Sequence, residues 1–334
     1  MAVKVGIPRG MYFYKYYPFI KTFLTELGAE VVPSPETTRE ILDKGVLYCI
    51  DDACLPVKVF HGHAYTLRDK VDFILIPRLT SISKSEYICP KFGGLPEMVK
   101  YSVPDLPPLV DTEINLIKNQ KGLAKALYKM AFLLKFKNPL LIGRSINTAI
   151  RAHNNFMAAV HEGNTPDCVI ASVPRRQYKS KIRIGLVGHP YLLYDNFTNM
   201  DLIKKLRSRG AEITTPDMID PHIINELCME LPKRMFWSSG KSLIGSALFI
   251  MDRRSFDGLL LLSAFGCGVD SLAGEYIEKQ ARMYYKKPYM VLNIDEHTGD
   301  ASFNTRIEAF FDLLNRRNSD AANLSAHGRS IYSS

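Results

Sequence analysis

Ile182-Arg-Ile-Gly-Leu-Val-Gly-His-Pro190, with the helical run that ends Ile203-Lys-Lys-Leu-Arg-Ser-Arg-Gly-Ala-Glu-Ile-Thr214, decides the fold, because the chain has already used that plan once. The earlier copy opens Val3-Lys-Val-Gly-Ile-Pro8, passes through an aromatic stretch and closes Leu24-Thr-Glu-Leu-Gly-Ala-Glu-Val-Val-Pro33. Each copy reads as β-strand, Pro-bearing loop, amphipathic helix, glycine C-cap and second strand. Gly28 and Gly210 fall where a helix must end at positive φ. The strands are alternating or wholly apolar, the pattern of a buried parallel sheet. Further strands are predicted at Val71–Pro77 and Pro108–Asp111, then at Gly258–Leu262 and Pro288–Asn293. Strands separated by helical stretches point to right-handed βαβ units. The expected fold class is α/β: two Rossmann-like parallel-sheet domains related by an internal repeat, with a helical connector and a cleft between them.

Working outward, residues 1–112 form the first expected domain and 181–315 the second. Residues 113–180 form a helical connector and linker, and 316–334 a flexible tail. Within the connector, Glu113–Lys137 and Arg144–His161 read as two long helices, and Ser172–Lys181 as a polar linker. A chain of 334 residues is long enough for two ordinary domains, and 46% hydrophobic with 23% charged residues is a normal globular composition. The longest apolar runs, such as Phe73–Pro77, fall far short of the about 20 residues needed to cross a bilayer. The N-terminus enters a strand at once, with no apolar signal core, so a cytoplasmic location without membrane contact is expected. The formal net charge is +9, yet its densest groups, Lys179–Arg183, Lys204–Arg209 and Arg316–Arg317, lie in different regions. No basic arm or stripe forms, so no nucleic-acid partner is expected. Solvated surface accounts for the excess, and steering of an acidic partner or phosphate-bearing substrate is the one use it suggests.

Six cysteines in a reducing compartment point to buried apolar residues, metal ligands or redox groups rather than disulfides. Cys54, in Asp52-Ala-Cys-Leu-Pro56, lies next to a predicted helix N-terminus whose free N–H groups favour a thiolate. Cys89, in Tyr87-Ile-Cys-Pro90, and Cys267, between Gly266 and Gly268, fall on loops leaving the carboxyl ends of strands, where open α/β sheets bind ligands. The two glycines let backbone N–H groups approach a sulfur ligand. Three thiolates suit a cubane cluster with one iron left for another ligand. A lone cysteine is most often a small buried hydrophobe, the reading given to Cys168 and Cys228. Cys49, on what reads as an apolar strand end, is assigned to the core, with an accessory ligand as its second reading. No Cys-x-x-Cys occurs, which argues against a zinc ribbon or a thioredoxin-type exchanger.

The remaining polar candidates are weaker. Glu296 and His297, after the last predicted strand, are candidate acid–base groups, with ordinary loop polarity as the competing reading. His189 either lines the cleft or caps a helix. His61 and His63 flank Gly62 at a spacing wrong for one helix face. Arg9, Lys58, Arg78 and Lys84 are solvated by default, with positive charge near a cluster or phosphate as their functional alternative.

Gly6-Ile-Pro-Arg9, Tyr14-Lys-Tyr-Tyr-Pro18, Asp52-Ala-Cys-Leu-Pro-Val-Lys58, Phe60-His-Gly-His63, Glu86-Tyr-Ile-Cys-Pro-Lys91, Gly266-Cys-Gly-Val-Asp-Ser271 and Asp295-Glu-His-Thr-Gly299 together carry a resemblance. The chain resembles, from Val3 to about Leu314, the activase-associated branch of the 2-hydroxyacyl-CoA dehydratase superfamily (2-hydroxyglutaryl-CoA dehydratase, benzoyl-CoA reductase). The resemblance implies a [4Fe-4S] cluster on Cys54, Cys89 and Cys267, with a larger double-cubane cluster left open by the cysteine count. It implies an ATP-hydrolysing iron–sulfur activator as partner, a homo- or heterodimer, and reduction or dehydration of a small substrate such as an acyl-CoA. Val269 departs from the proline expected there, and the residues after Gly299 depart from an expected glycine-containing turn. Two other readings stand beside this one. One is a non-enzymatic iron–sulfur module that relays, stores or senses electrons. The other is a metal-free two-lobed protein in which the cysteines are core.

Overall fold

The computed structural model describes residues 2–117, 121–173 and 182–322. The first half runs β1 (Lys4–Ile7), α1 (Phe13–Leu27), β2 (Glu30–Pro33), α2 (Arg39–Leu47), α3 (Leu55–Leu67), β3 (Phe73–Leu75), β4 (Arg78–Ser81), α4 (Pro90–Ser102), β5 (Leu109–Val110) and β6 (Glu113–Asn115). Three helices follow: α5 (Lys121–Leu133), α6 (Pro139–His161) and α7 (Pro166–Ile170). The second half runs β7 (Ile182–Val187), α8 (Pro190–Leu193), α9 (Leu202–Ser208), β8 (Ala211–Thr214), α10 (Pro221–Met229), α11 (Ser238–Asp252), β9 (Gly258–Ala264), α12 (Gly268–Gln280), β10 (Tyr289–Ile294) and α13 (Asp300–Ala322).

Both halves build a four-stranded parallel sheet with the same connectivity. The orders are β2-β1-β3-β5 and β8-β7-β9-β10, so in each the first strand lies between the second and the third. The repeat read from the sequence is therefore a repeat of topology. Gly28 and Gly210 end their helices at φ 95° and 81°. Val5, Gly6 and Ile7 of β1, and Ile184 through Val187 of β7, are buried without alternation, as strands covered on both faces require. Past Pro77, β4 and β6 continue the paths of β3 and β5 as a separate two-stranded parallel ribbon, which delivers the chain towards Cys89.

The halves are joined by side chains and backbone. Tyr87 donates its N–H to the Phe236 carbonyl at 2.7 Å, and Ser238 returns one to the Tyr87 carbonyl at 2.9 Å. Lys241 pairs with Glu86 at 2.6 Å. No helix among the described residues is long and apolar enough to cross a membrane.

Several element boundaries differ from expectation. Glu113–Asn115 is a strand rather than the start of a helix, because Glu113 and Ile114 continue the β5 path and pair with Arg78 and Leu79. The second connector helix begins at Pro139, not Arg144. The Asn138 side chain accepts from the N–H groups of Leu140 and Leu141, and Pro139 fills the first turn where its missing donor is harmless. Cys49 follows helix α2 and is not on a strand. The last helix continues through Ala322, into the segment expected to be a flexible tail. Most of the expected linker Ser172–Lys181 lies outside the described residues.

Candidate functional site

Cys54, Cys89 and Cys267 occupy equivalent local positions. Each is the N-cap residue of a helix (α3, α4 and α12 respectively), and none uses its side chain as a cap. Pro56 and Pro90 in the first turns of α3 and α4 fix those helix starts. Burial pushes all three thiols up, while backbone N–H groups of the first helical turn, those of Val57, Lys91 and Asp270, favour the thiolate. The thiols are therefore protonated unless a cation compensates the charge, which argues against a free thiolate nucleophile.

The loops bearing them come from both halves and meet. Gly266 holds φ 77°, and a Cβ built there would lie 3.6 Å from the Cys54 Cα. The Cys54 thiol lies within electrostatic range of Cys89, Lys91 and Asp270. Tyr191, whose hydroxyl is pushed up first by burial, feels Cys267, Asp270, Cys54 and Cys89 together. Its ring lies 6.2 Å from that of Phe92, so aromatic residues of both halves flank the same cleft. Gly268 faces open space.

His189 and Cys267 follow β7 and β9, neighbouring strands whose connections leave in opposite directions, the switch point at which open α/β sheets bind ligands. His189 is 3% exposed, stacks on Tyr191 at 4.9 Å, and its Nε2 lies 3.9 Å from the Cys267 Sγ. The same nitrogen is 2.9 Å from Asp270 Oδ1, an ion-pair distance without hydrogen-bond alignment. Burial alone would strip the imidazole of its proton; the Asp270 carboxylate overrides it and pushes His189 up to about 10. Asp270 is fixed in turn by the Ala264 N–H, which it accepts at 3.0 Å. His189, Cys267 and Asp270 place ligand atoms within 4.8 Å of one another, close enough for one metal ion; Cys54 and Cys89 stand outside that group.

The other expected residues divide. Lys58, one turn after Cys54 and only 5% exposed, forms an ion pair with Glu296, joining α3 to the loop after β10. Burial opposes ionisation of Glu296, but the hydrogen bond from Lys58 outweighs it and holds the carboxyl below its ordinary range. A carboxylate so held is a poor general acid. His297 is exposed, its N–H donated to Asp295. Arg78 is engaged by Glu97, and Arg9 by Ser34. Cys49 is half-buried; burial raises its thiol, and Lys58 and Lys91 lower it, so it stands at the same positive edge. Cys228 is buried on α10, as expected of a core thiol, and Cys168 is half-buried on α7.

His61 donates Nδ1 to the Val57 carbonyl at 2.8 Å within its own helix. His63 belongs to a buried network that spans the halves. Its Nδ1 is 3.0 Å from Ser34 Oγ, its Nε2 2.9 Å from Thr37 Oγ1, and the Thr37 hydroxyl donates to Asp195. Neither histidine is placed as a metal ligand among the described residues. Sequence reading gave no role to Lys91, Asp270 or Tyr191. The only signals were adjacency to Cys-Pro for Lys91 and a three-residue offset from Cys267, one helical turn, for Asp270.

No curated protein matches the chain. Residues 4–219 match the CoA enzyme activase uncharacterised domain (DUF2229), a span that contains Cys54, Cys89, Tyr191 and His189 and ends before Cys267. Since that match covers well over half of the 334 residues, the chain belongs to the CoA enzyme activase uncharacterised domain family.

Proposed function

We propose that this protein holds an iron–sulfur cluster on Cys54, Cys89 and Cys267, accepts low-potential electrons from an ATP-hydrolysing iron–sulfur activator, and reduces or dehydrates a small substrate, with acyl-CoA as the favoured class. The observation that supports the reading is that three N-cap cysteines supplied by both halves all lie within electrostatic range of Tyr191. The donor set fits. Soft sulfur favours iron–sulfur chemistry, and buried thiols of raised pKa need a cation to lose their protons. The spread of the sulfurs beyond the 4.8 Å single-ion group suits a polynuclear centre, in which different thiolates bind different irons. A bound [4Fe-4S] cluster would supply one-electron redox chemistry and, with three protein thiolates, an iron open to substrate.

The residues of the chain do the rest. First-turn N–H groups of α3, α4 and α12 and the Lys91 ammonium offset negative charge on the sulfurs. His189, held by Asp270, directs its Nε2–H at the Cys267 sulfur. Phe92 and Tyr191, their rings 6.2 Å apart, give the cleft an aromatic wall. Membership of an activase-associated family supports the choice of an activator as partner. The test is anaerobic purification followed by mixing with an activator, ATP and reductant. Broad absorption at roughly 400 nm that bleaches only when ATP is present is expected, with turnover of an acyl-CoA. Colourless protein that binds no iron on reconstitution refutes the proposal.

A second reading has its own support: among the described residues, His189, Cys267 and Asp270 are the group spaced for a single divalent ion. Under it, metal content is one per chain without acid-labile sulfide, and Cys54→Ser and Cys89→Ser leave it unchanged.

A further inference from the structure

Of the three candidate cluster thiols, Cys267 is the one whose sulfur, among the described residues, stands within hydrogen-bond reach of a side-chain nitrogen. Cys54 and Cys89 are met by backbone N–H groups of their own helices and by the charge of the half-buried Lys91. The nitrogen facing Cys267 is held from two sides. His189 is the N-cap residue of α8, with Pro190 fixing the turn after it. Its ring is 3% exposed and stacks on Tyr191 at 4.9 Å and 21°. From the other side comes Asp270, the third residue of α12, where the helix N-terminus favours a carboxylate. In a capping box that side chain turns back to the N–H of the N-cap residue. Here the Cys267 N–H is already taken by the Ala264 carbonyl at 3.1 Å. Asp270 instead accepts the Ala264 N–H through Oδ2 at 3.0 Å and turns Oδ1 to His189 Nε2 at 2.9 Å.

Nε2 thus faces two acceptors, a carboxylate oxygen and, at 3.9 Å, the Cys267 sulfur, which places the ring hydrogen on that nitrogen. Asp270 Oδ1 has no aligned donor, so the carboxylate acts on the ring by charge and the N–H is left to the sulfur. A buried pair of this kind is weak evidence for a role in stability, because desolvation cancels much of its attraction. Its effect is to hold a donor against one sulfur at a site of low local dielectric. Hydrogen bonds to the sulfurs are among the determinants of an iron–sulfur cluster's reduction potential. An added electron increases the negative charge on those sulfurs, so a donor placed there favours the reduced form.

We propose, resting on the cluster reading above, that His189 raises the cluster's reduction potential by donating its Nε2–H to the Cys267 sulfur, with Asp270 as the positioning residue that holds the ring. Anaerobic titration of the full-length reconstituted protein with titanium(III) citrate, followed by visible absorption, tests it. Each titanium(III) gives one electron and becomes titanium(IV), the cluster takes the electron up, and the ring keeps its proton. His189→Phe keeps the stack on Tyr191 and removes the donor. It should retain wild-type iron and sulfide, and its reduction should be about tenfold less favourable, a shift of about 59 mV to lower potential for one electron. His189→Gln supplies an amide N–H in place of the ring, and its potential should lie between the other two, a graded rescue that a merely structural role would not give. Cys228→Ser, buried on α10, should leave the potential unchanged. Equal potentials in wild type and His189→Phe overturn the role of His189 and leave the cluster reading standing. A potential in His189→Gln no higher than in His189→Phe overturns it as well. Loss of iron from both variants does the same, by making His189 a ligand. Wild-type protein that binds no cluster overturns this role and the cluster reading together.

Discussion

Acidification should loosen the joint between the two halves through one residue, His63. Its ring is wholly buried, and burial, with the Arg9 charge second, holds the imidazole down to about 3 against an ordinary 6.5. The network fixes the neutral tautomer. Ser34 Oγ accepts the Arg9 N–H and so donates to Nδ1, while Thr37 donates to Asp195 and so accepts from Nε2. Between pH 6.5 and 3 the unfolded chain binds a proton that the folded chain refuses, so stability is complete above 6.5 and falls as pH falls towards 3. At pH 5 the loss is 1.5 pH units at 1.36 kcal/mol each, about 2 kcal/mol; over the whole window it approaches about 5 kcal/mol. Urea unfolding of wild type and His63→Gln at pH 7 and pH 5 isolates this contribution. The variant should be less stable at pH 7 by about 1–3 kcal/mol for its disturbed hydrogen bonds, and on going to pH 5 the difference should move by about 2 kcal/mol in the variant's favour. Asp195, whose carboxyl is pushed up by burial, works in the opposite direction in both proteins. Equal losses of stability in the two proteins between pH 7 and pH 5, or an imidazole whose nitrogen shifts report protonation at pH 5 in the folded state, would refute the reasoning.

Gly62→Ala tests how α3 is seated. A Cβ there would stand 1.9 Å from the Ile41 carbonyl oxygen, so α2 and α3 must separate, at about 3 kcal/mol or more in chemical unfolding. Lys58→Met strands the Glu296 carboxylate and should cost about 2–4 kcal/mol, of which the added Glu296→Gln should restore a large part in a double-mutant cycle. Asn138→Ala removes the cap of α6 and should lower stability by about 1 kcal/mol without changing metal content.

The repeat was the most legible feature, because a strand, a helix closed by glycine and a second strand leave the same trace in both halves. The N-cap position of Cys54 was legible for a related reason, because Pro56 announces a helix start; Cys89 was expected only on a loop, although Pro90 carries the same signal. What could not be read was partnership across the halves. Glu296 looked like a free acid–base group until Lys58, 238 positions away in sequence, was found beside it. Asp270 and His189 are ordinary loop and helix residues in one dimension and become a buried pair only when β7 and β9 lie side by side. Glu113–Asn115 misled because three residues extending a short strand carry less periodic signal than the helix behind them.

An anaerobic crystal structure with an iron anomalous map tests the central claim most directly. The account predicts clustered iron density within bonding distance of the sulfurs of Cys54, Cys89 and Cys267, contributed by both halves. A single peak bound by His189, Cys267 and Asp270, or three sulfurs sharing no density, would contradict it.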